Sequence, residues 1–213
     1  MSDRLKCIFL IPIGFGISGK LVPQFLELQK WCTKNNSEIL TVTGKPHNFA
    51  RNYLATGGKG FVNPTPPNAE WLIWIDSDII FNINQIELLL KHDHQFCAGW
   101  YVNDLSNQIM AGYMDDEFFN KNGRMPFLNK DWLSTRQDEV TVDFTGFGFV
   151  KMHYSLLEKM TYPYFTLNLQ KYGIYQDLSS EDVSFCLNCY KETGIRPVIL
   201  PILKVGHLKN VIL

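Results

Sequence analysis

The sequence has no excess of charge of either sign. Its 213 residues include 20 Lys and Arg against 21 Asp and Glu, a formal net charge of −1 at pH 7. Proteins that bind nucleic acid by neutralising phosphates usually carry a basic excess. The balance therefore argues against charge-driven nucleic-acid binding, and we expect no nucleic-acid partner.

Long apolar runs are also absent. The first apolar stretch, residues 7–13, contains Pro12 and is followed by Gly14, and it is much shorter than the roughly 20 residues that span a bilayer. Signal-peptide features are lacking as well, so we expect a cytoplasmic protein with no transmembrane segment. Cysteine is scarce and odd in number, which favours reduced core residues over a disulfide framework: Cys7, Cys32, Cys97, Cys186 and Cys189.

The first half of the chain alternates apolar runs with helical periodicity. Buried strands end at Gly or polar residues, and the helices show apolar residues at spacings of three and four. This order predicts an α/β fold with a mostly parallel central sheet and helices on both faces. The predicted strands are 6–13, 38–43, 71–75 and 95–101, and the predicted helices are 20–34, 49–56 (with Asn48 as its N-cap) and 84–91.

The second half is less regular, with short apolar runs separated by polar connections. The polar stretch 115–138 is predicted to be a loop, and loops of that length are often lids. The change near residue 102 marks two halves of one domain, residues 1–213, because a chain of 213 residues suits one α/β domain and leaves little room for a second. The predicted strands are 109–113, 139–144, 147–152 and 197–200, and the predicted helices are 153–160 and 179–193.

Two carboxylates, Asp76 and Asp78, follow the most apolar predicted strand directly. In open α/β sheets, ligands bind at the carboxyl ends of the strands. Carboxylates one residue apart can supply oxygen ligands to one hard divalent cation, which in turn neutralises a diphosphate. Asp and Ser are also common in turns and helix caps. These residues alone therefore leave a metal site and an ordinary turn both open.

Five segments resemble the motifs of GT-A fold glycosyltransferases, in the same order along the chain. They are similar to small viral and bacterial enzymes of the family 2 type, and together they cover most of the sequence. The Asp-X-Asp signature at the end of a buried strand is the central one. The segments are Ala50–Ala55, Trp71–Phe81, Gly146–Val150, Ser180–Asp182 and Gly206–His207.

The resemblance implies a role for each matching position. Mn²⁺ or Mg²⁺ would be held by Asp78, Asp76 and His207. It implies a UDP- or GDP-sugar donor, bound mainly by residues 1–101, and an acceptor with a free hydroxyl, bound mainly by residues 102–213. The donor-binding positions implied are Pro12, Ile13 and Gly14 at the base, Asp76 at the ribose or the metal with Ser77 beside it, Arg51 at the signature carboxylates or the diphosphate, and Gly146 and Gly148 beneath the sugar.

The acidic pair Glu181 and Asp182 has two interpretations. Inverting sugar transfer needs a carboxylate that accepts the proton of the attacking hydroxyl, and the resemblance favours Asp182, with Glu181 as the alternative. The segment also reads as a capping box with Ser179 as the N-cap, and acidic residues stabilise a first helical turn without any catalysis. His207 and Arg51 likewise have ordinary alternatives, as a strand-end histidine and a surface arginine.

The function we expect is metal-dependent transfer of a sugar, a hexose by resemblance, from a nucleoside diphosphate sugar to a hydroxyl, with inversion. A nucleotidyltransferase acting on a sugar phosphate is one alternative, but it should carry a phosphate loop after the first strand, and residues 14–20 match one poorly. A non-catalytic nucleotide-sugar-binding module is another. The Gly14-Phe15-Gly16 segment lacks the third glycine of a dinucleotide-binding fingerprint, which argues against a Rossmann dehydrogenase.

Overall fold

The computed structural model describes residues 5–59, 67–102 and 108–208. Their helices are α1 Val22–Lys34, α2 His47–Ala55, α3 Ile83–Lys91, α4 Asp116–Asn122, α5 Lys130–Ser134, α6 Ser155–Lys159 and α7 Glu181–Thr193. Their strands are β1 Leu5–Ile13, β2 Glu38–Thr43, β3 Ala69–Ile75, β4 Ile79–Ile80, β5 Phe96–Trp100, β6 Gln108–Gly112, β7 Phe127–Asn129, β8 Val140–Thr141, β9 Phe144–Thr145, β10 Phe149–His153, β11 Leu169–Tyr172, β12 Tyr175–Leu178, β13 Val198–Lys204 and β14 Gly206–His207.

The central sheet has seven strands within the described residues, in the order β2-β1-β3-β10-β5-β13-β8. The pairs β2–β1, β1–β3 and β5–β13 are parallel, whereas β10 and β8 run antiparallel to their neighbours. All the other strands of this sheet therefore point the same way. The predicted α/β fold with a mostly parallel sheet is confirmed.

Each apolar strand is buried on both faces, as the alternation of its side chains shows. In β1, Phe9 and Ile11 belong to the core beneath α1 and α3, together with Leu28 and Leu89. The alternate residue Leu10 belongs to the other core, which packs against α2, α6 and α7. Successive strand residues point to opposite faces, so a strand covered on both sides has to be apolar throughout. Helices cover both faces of the sheet, as predicted.

Three smaller pairings complete the described part of the chain. Strands β7, β6 and β9 form a second sheet, β11 and β12 form a hairpin, and β4 pairs with β14. The hairpin turns at Gly173, whose φ of 61° lies in the left-handed region that favours glycine. The β4–β14 pairing is short, but it joins the segment after β3 to the end of the described chain.

Several predicted element boundaries were wrong in the second half. The stretch 115–138 contains α4, β7 and α5, and it escaped prediction because α4 has no buried residue and hence no apolar stripe. The single strand predicted over 139–144 is two short strands in different sheets. The hairpin of β11 and β12 was missed, because β11 is half-exposed and every residue of β12 is exposed.

Two predicted helix caps were also wrong. Helix α2 begins one residue before Asn48, with Pro46 as its N-cap. Proline's fixed φ suits the entry into a helix and leaves no amide to satisfy there. The N-cap of α7 is Ser180 and not Ser179, since the Ser180 hydroxyl accepts a hydrogen bond from the amide of Val183. Ser179 is instead buried beneath the helix, where its hydroxyl bonds that of Ser184.

The five cysteines are all buried and free, as expected for core residues. Burial raises the pKa of each of their thiols, which keeps them protonated near neutral pH. Cys186 and Cys189 lie inside α7, in agreement with packing as their role. Among the residues that the structure describes, no helix is long and apolar enough to cross a lipid bilayer.

Candidate active site

A cleft of about 470 Å³ opens at the carboxyl ends of β1 and β3. Its floor is formed by the segment after β3, and its sides by the first turns of α2 and α7 and by the end of the described chain. Predicted site residues from distant parts of the sequence meet here. Those lining the cleft are Pro12, Ile13, Gly14, Arg51, Asp76, Ser77, Asp78, Glu181, Asp182 and His207.

The Asp76-Ser77-Asp78 segment is a tight turn that connects β3 to β4. The amide of Asp76 donates to the carbonyl of Gly148 at 3.0 Å, and the amide of Ile79 donates to the carbonyl of Asp76 at 3.1 Å. The backbone is therefore held on both sides of the turn. Both carboxylates still line the cleft, with Asp78 half-exposed and Asp76 mostly covered. The turn geometry and an exposed acidic site are thus compatible at this position.

The short pairing of β4 with β14 brings His207 to Asp78. His207 pairs with Ile79 in register, and the amide of Leu208 donates to the Asp78 carbonyl at 2.7 Å. The His207 Nε2 then lies 3.0 Å from Asp78 Oδ2. Position 206 requires glycine, because a Cβ there would come within 2.9 Å of the Cβ of Ile80 on the paired strand. Burial raises the pKa of Asp78, but the hydrogen bond and charge of His207 outweigh it and lower that pKa.

Arg51 is a buried cation that joins both ends of the cleft. Its side chain is 1% exposed, and Nη2 lies 3.2 Å from Asp76 Oδ1 and 3.3 Å from Oδ2. On its other side, Nε lies 3.1 Å from Asp182 Oδ1 and 3.7 Å from Glu181 Oε1. Burial lowers the pKa of Arg51, but the three carboxylates more than offset this and raise it. The alternative of a surface arginine is wrong.

Three aromatic rings beneath the Arg51 guanidinium fix its position. The Arg51 Cζ lies 5.4 to 6.0 Å from the ring centroids of Trp74, Phe147 and Phe165. Cation–π attraction and exclusion of water both strengthen the charge pairs above the rings. The arginine therefore has few alternative positions, and the carboxylates that it contacts are ordered with it.

Asp182 is held at two points, whereas Glu181 is held loosely. Asp182 Oδ2 accepts a hydrogen bond from the amide of Phe147 at 3.1 Å, and Oδ1 faces Arg51 without a hydrogen-bond partner. Glu181 Oε1 lies 3.7 Å from Arg51 and 3.9 Å from His47 Nδ1. Both acids stand in the first turn of α7, so capping the helix and facing the cleft are not exclusive roles.

Asp182 has the properties of a proton acceptor near neutral pH. Burial raises its pKa to about 6, Arg51 opposes that rise, and the neighbouring charges of Glu181 and Asp76 add to it. A general base is most effective when its pKa lies near the working pH. Oδ2 is anchored by the amide of Phe147 and Oδ1 lies against Arg51, so the carboxylate is held at both oxygens where Asp182 lines the cleft.

Gly146 and Gly148 are not brought to the cleft wall. A Cβ on Gly148 would lie 2.6 Å from the Tyr101 ring, and one on Gly146 would lie 2.9 Å from the Tyr101 hydroxyl. Tyr101 itself lines the cleft and packs against the His207 ring at a centroid distance of 5.1 Å. Because Gly146 and Gly148 have no side chain, the Tyr101 ring can occupy its position beside them. The carbonyl of Gly148 also accepts the hydrogen bond from the amide of Asp76.

Sequence reasoning missed several residues that line the cleft, among them Lys45, His47 and Tyr101. Lys45 and His47 are exposed and follow β2, the neighbour of β1. The rule that ligands bind at the carboxyl ends of strands would have found both. Tyr101 directly follows β5 and is buried, and no signal in the sequence distinguishes it from a core tyrosine.

The donor set fits a divalent cation shared with a phosphate group, but not a site built from protein alone. No group of three or more His, Cys, Asp or Glu among the described residues is placed to hold a metal ion. Asp76, the third predicted ligand, is paired with Arg51. Asp78 Oδ2 and His207 Nε2, which lie 3.0 Å apart and hydrogen-bond to each other, are the two groups that would hold such an ion, as a carboxylate oxygen and an imidazole nitrogen.

Solved structures with the same architecture include two that align with nearly all of this chain. A197 from STIV aligns with 97% of it and 87% of its own length, at 18% identity and a TM-score of 0.59. GalNAc-T7, solved with UDP, GalNAc and Mn²⁺, aligns with 100% of this chain at 12% identity and a TM-score of 0.51. The fold is GT-A-like. The chain spans only 45% of the GalNAc-T7 chain.

A third solved structure is a glycosyltransferase involved in glycosylation of the PBCV-1 major capsid. It aligns with 96% of this chain and 94% of its own, at 11% identity and a TM-score of 0.42. No protein-family model matches the sequence, and no curated protein matches it. The similarity to GalNAc-T7 thus lies in the GT-A-like fold.

Proposed function

We propose that this protein is a glycosyltransferase that moves a sugar from a nucleoside diphosphate sugar to an acceptor hydroxyl, with inversion. The observation that carries the proposal is the line of charged residues across the cleft. Asp78 and His207 stand at one end, Asp182 stands at the other, and Arg51 bridges Asp76 and Asp182 between them. A GT-A-like fold and the glycosyltransferases among the neighbours that share it support the same class of reaction.

The charge of the cleft explains why a divalent cation would be needed. Its described lining includes four carboxylates, and only Arg51 and Lys45 are always cationic there. A nucleoside diphosphate is itself an anion, so this surface would repel it. Mg²⁺ or Mn²⁺, held by Asp78 and His207, would offset the negative charge of the leaving diphosphate. GalNAc-T7, which has this fold, was crystallised with Mn²⁺ and UDP.

In the proposed reaction the acceptor oxygen forms a bond to the anomeric carbon of the sugar. The bond from that carbon to the phosphate oxygen breaks, and the nucleoside diphosphate leaves with the bonding electrons. The proton of the acceptor hydroxyl passes to Asp182, whose position is fixed by Arg51 and by the amide of Phe147. Front-half residues 1–101 would hold the donor, and residues 102–213 would hold the acceptor.

Nucleoside diphosphates should stabilise the protein only in the presence of Mn²⁺ or Mg²⁺. A ligand at about 100 times its Kd contributes about 2.7 kcal/mol, which corresponds to a rise in Tm of about 5 °C or more for a chain of this size. The measurement is thermal unfolding with UDP, GDP, CDP, ADP and TDP, each with and without the metal. The Asp78→Ala variant should lose the metal-linked shift.

The matched control for that experiment is Asp138→Ala, which removes an exposed carboxylate outside the cleft. It should retain the full shift with the preferred nucleotide. A panel without any metal-dependent shift in the wild type would contradict the donor site. A shift retained in Asp78→Ala would remove that residue from the site while leaving nucleotide binding in place.

The pH dependence of kcat/KM should report Asp182. Because its pKa is raised to about 6, the carboxylate is protonated below this pH and cannot accept the hydroxyl proton. The value of kcat/KM should fall about tenfold for each pH unit below 6 and level off above about pH 7. Initial rates of nucleoside diphosphate release across this range provide the measurement. An acid limb that persists unchanged in Asp182→Asn would assign the titration to another group.

A further inference from the structure

A second cavity, of about 560 Å³, lies between helix α4, the small β7-β6-β9 sheet and the β11–β12 hairpin. Its walls are mainly aromatic and aliphatic, with polar side chains in the minority. Phe119 of α4 stacks on Tyr172 of the hairpin at a centroid distance of 5.7 Å, and it meets Tyr175 edge-on at 6.2 Å. Phe144 of β9 is buried and lines the same cavity. Such a cavity suits an apolar group with a flat face.

This cavity, which we call the aromatic cavity, shares a wall with the candidate active site. Glu181 and Asp182 line the cleft, and the next residue, Val183, lines the aromatic cavity. Leu178, the last residue of β12, precedes this turn in the chain and also lines the aromatic cavity. The first turn of α7 therefore separates the proposed base from the apolar walls. A molecule that straddles this turn would touch both.

The hairpin wall of the cavity is pinned in place. The amide of Gly173 donates to Asp116 Oδ1 at 3.0 Å, and the amide of Ile174 donates to Asn120 Oδ1 at 3.2 Å. Both acceptors belong to α4, the opposite wall of the cavity. Gly173 also leaves no room for a Cβ, which would meet Asn120 Oδ1. The two walls are joined at the hairpin tip, so the space between them is a preformed site.

We infer that the aromatic cavity binds the apolar part of the acceptor, so that the acceptor is an amphipathic molecule carrying an aromatic ring next to its reactive hydroxyl. The inference rests on the proposed function, because it takes Asp182 as the group that receives the hydroxyl proton. Two observations carry it: the ring-lined walls formed by Phe119, Tyr172 and Tyr175, and the shared turn of α7. Arg124 and Asp177 line the same cavity and offer hydrogen bonds to the polar part of the acceptor.

The test compares para-nitrophenyl glycosides with methyl glycosides of glucose, galactose and mannose. The two sets carry the same hydroxyls and differ only in the apolar group. Binding is read by saturation-transfer NMR without any donor, and the Kd should be about tenfold lower or more for the aryl glycosides. Val183→Trp, which fills the cavity, and Tyr175→Ala, which removes a wall, should both abolish the preference.

The matched control is Ile174→Ala at the hairpin tip, where the side chain is 79% exposed and does not line the cavity. It should keep the aryl preference. Equal binding of aryl and methyl glycosides, or an aryl preference retained in both cavity variants, would overturn the inference even if the metal-linked nucleotide shift is present. Aryl binding without that nucleotide shift would overturn both the acceptor role and the proposed function.

Discussion

Replacing Arg51 by Met should lower the free energy of unfolding by about 3–5 kcal/mol, because removing one partner of a buried ion pair leaves the other charges unpaired. Met keeps most of the apolar stem but none of the charge. Three carboxylates, those of Asp76, Glu181 and Asp182, would lose their shared cation. Urea unfolding followed by circular dichroism measures the change, and Tm should fall by about 6–20 °C.

The pH dependence of the stability lost in Arg51→Met distinguishes the loss of charge pairing from the loss of packing. Arg51 lowers the pKa of Asp182 in the native protein, so this pKa lies higher still in the variant, further above its value in the unfolded chain. A group with a raised native pKa stabilises the folded state fully below its unfolded pKa, and that contribution is lost as pH rises through the native pKa. The loss of stability relative to the wild type should therefore widen as the pH rises above about 6, the native pKa of Asp182 in the wild type.

Arg51→Lys serves as the control for charge alone. It retains a cation but not the planar fork that faces Asp76 on one side and Asp182 on the other. We expect Arg51→Lys to lose less free energy of unfolding than Arg51→Met, and we expect this loss to depend less on pH. A variant Arg51→Met as stable as the wild type would show that the three carboxylates are hydrated and that the buried cation is dispensable.

Asp182→Asn should lower kcat by about 10²- to 10⁴-fold, the usual contribution of a positioned general base. The amide has the size of the carboxylate and can still accept the hydrogen bond from Phe147, but it does not accept a proton. Nucleotide binding with metal should be unchanged, since Asp78 and His207 lie at the other end of the cleft. Initial rates of product release, together with the thermal shift, separate the two effects.

Glu181→Gln is the matched control for Asp182→Asn. Glu181 has a single long contact with Arg51 and no anchor comparable to the Phe147 amide, so its loss of kcat should be smaller. A larger loss in Glu181→Gln would exchange the two roles. Full activity in both variants would contradict inversion through a protein base, and release of pyrophosphate in place of nucleoside diphosphate would indicate nucleotidyl transfer.

The strands and helices of the first half could be predicted because their burial imposes a pattern. A strand covered on both faces, such as β1 or β3, is apolar except for one exposed residue near its start, and α1 shows one buried stripe. The second half lacks such patterns. Helix α4 buries no side chain, and strand β12 is exposed at every position, so neither leaves a hydrophobic signature in the sequence.

The candidate site was predictable in its members but not in its contacts. Asp76 and Asp78 were found because they end a buried strand, and His207 and Asp182 were found through the resemblance of their motifs. A contact of Arg51 with the signature carboxylates was one of two options, but the sequence could not indicate that Arg51 is buried or that it also contacts Glu181 and Asp182. An arginine on a short helix looks the same in sequence whether it faces solvent or three carboxylates, and only tertiary packing decides between these.

The position of β10 in the sheet has a consequence for biosynthesis. β10 lies between β3 and β5 and pairs with both, yet it is translated after both of them. During the roughly 50 residues that separate β5 from β10, about 2–10 s at ordinary rates of synthesis, the nascent chain holds two apolar strands whose facing edges have no partner. Exposed edges of this kind invite pairing with other chains. The first half should therefore be aggregation-prone as an isolated fragment, and its strands β3 and β5 can be joined only when residues 149–153 leave the ribosome.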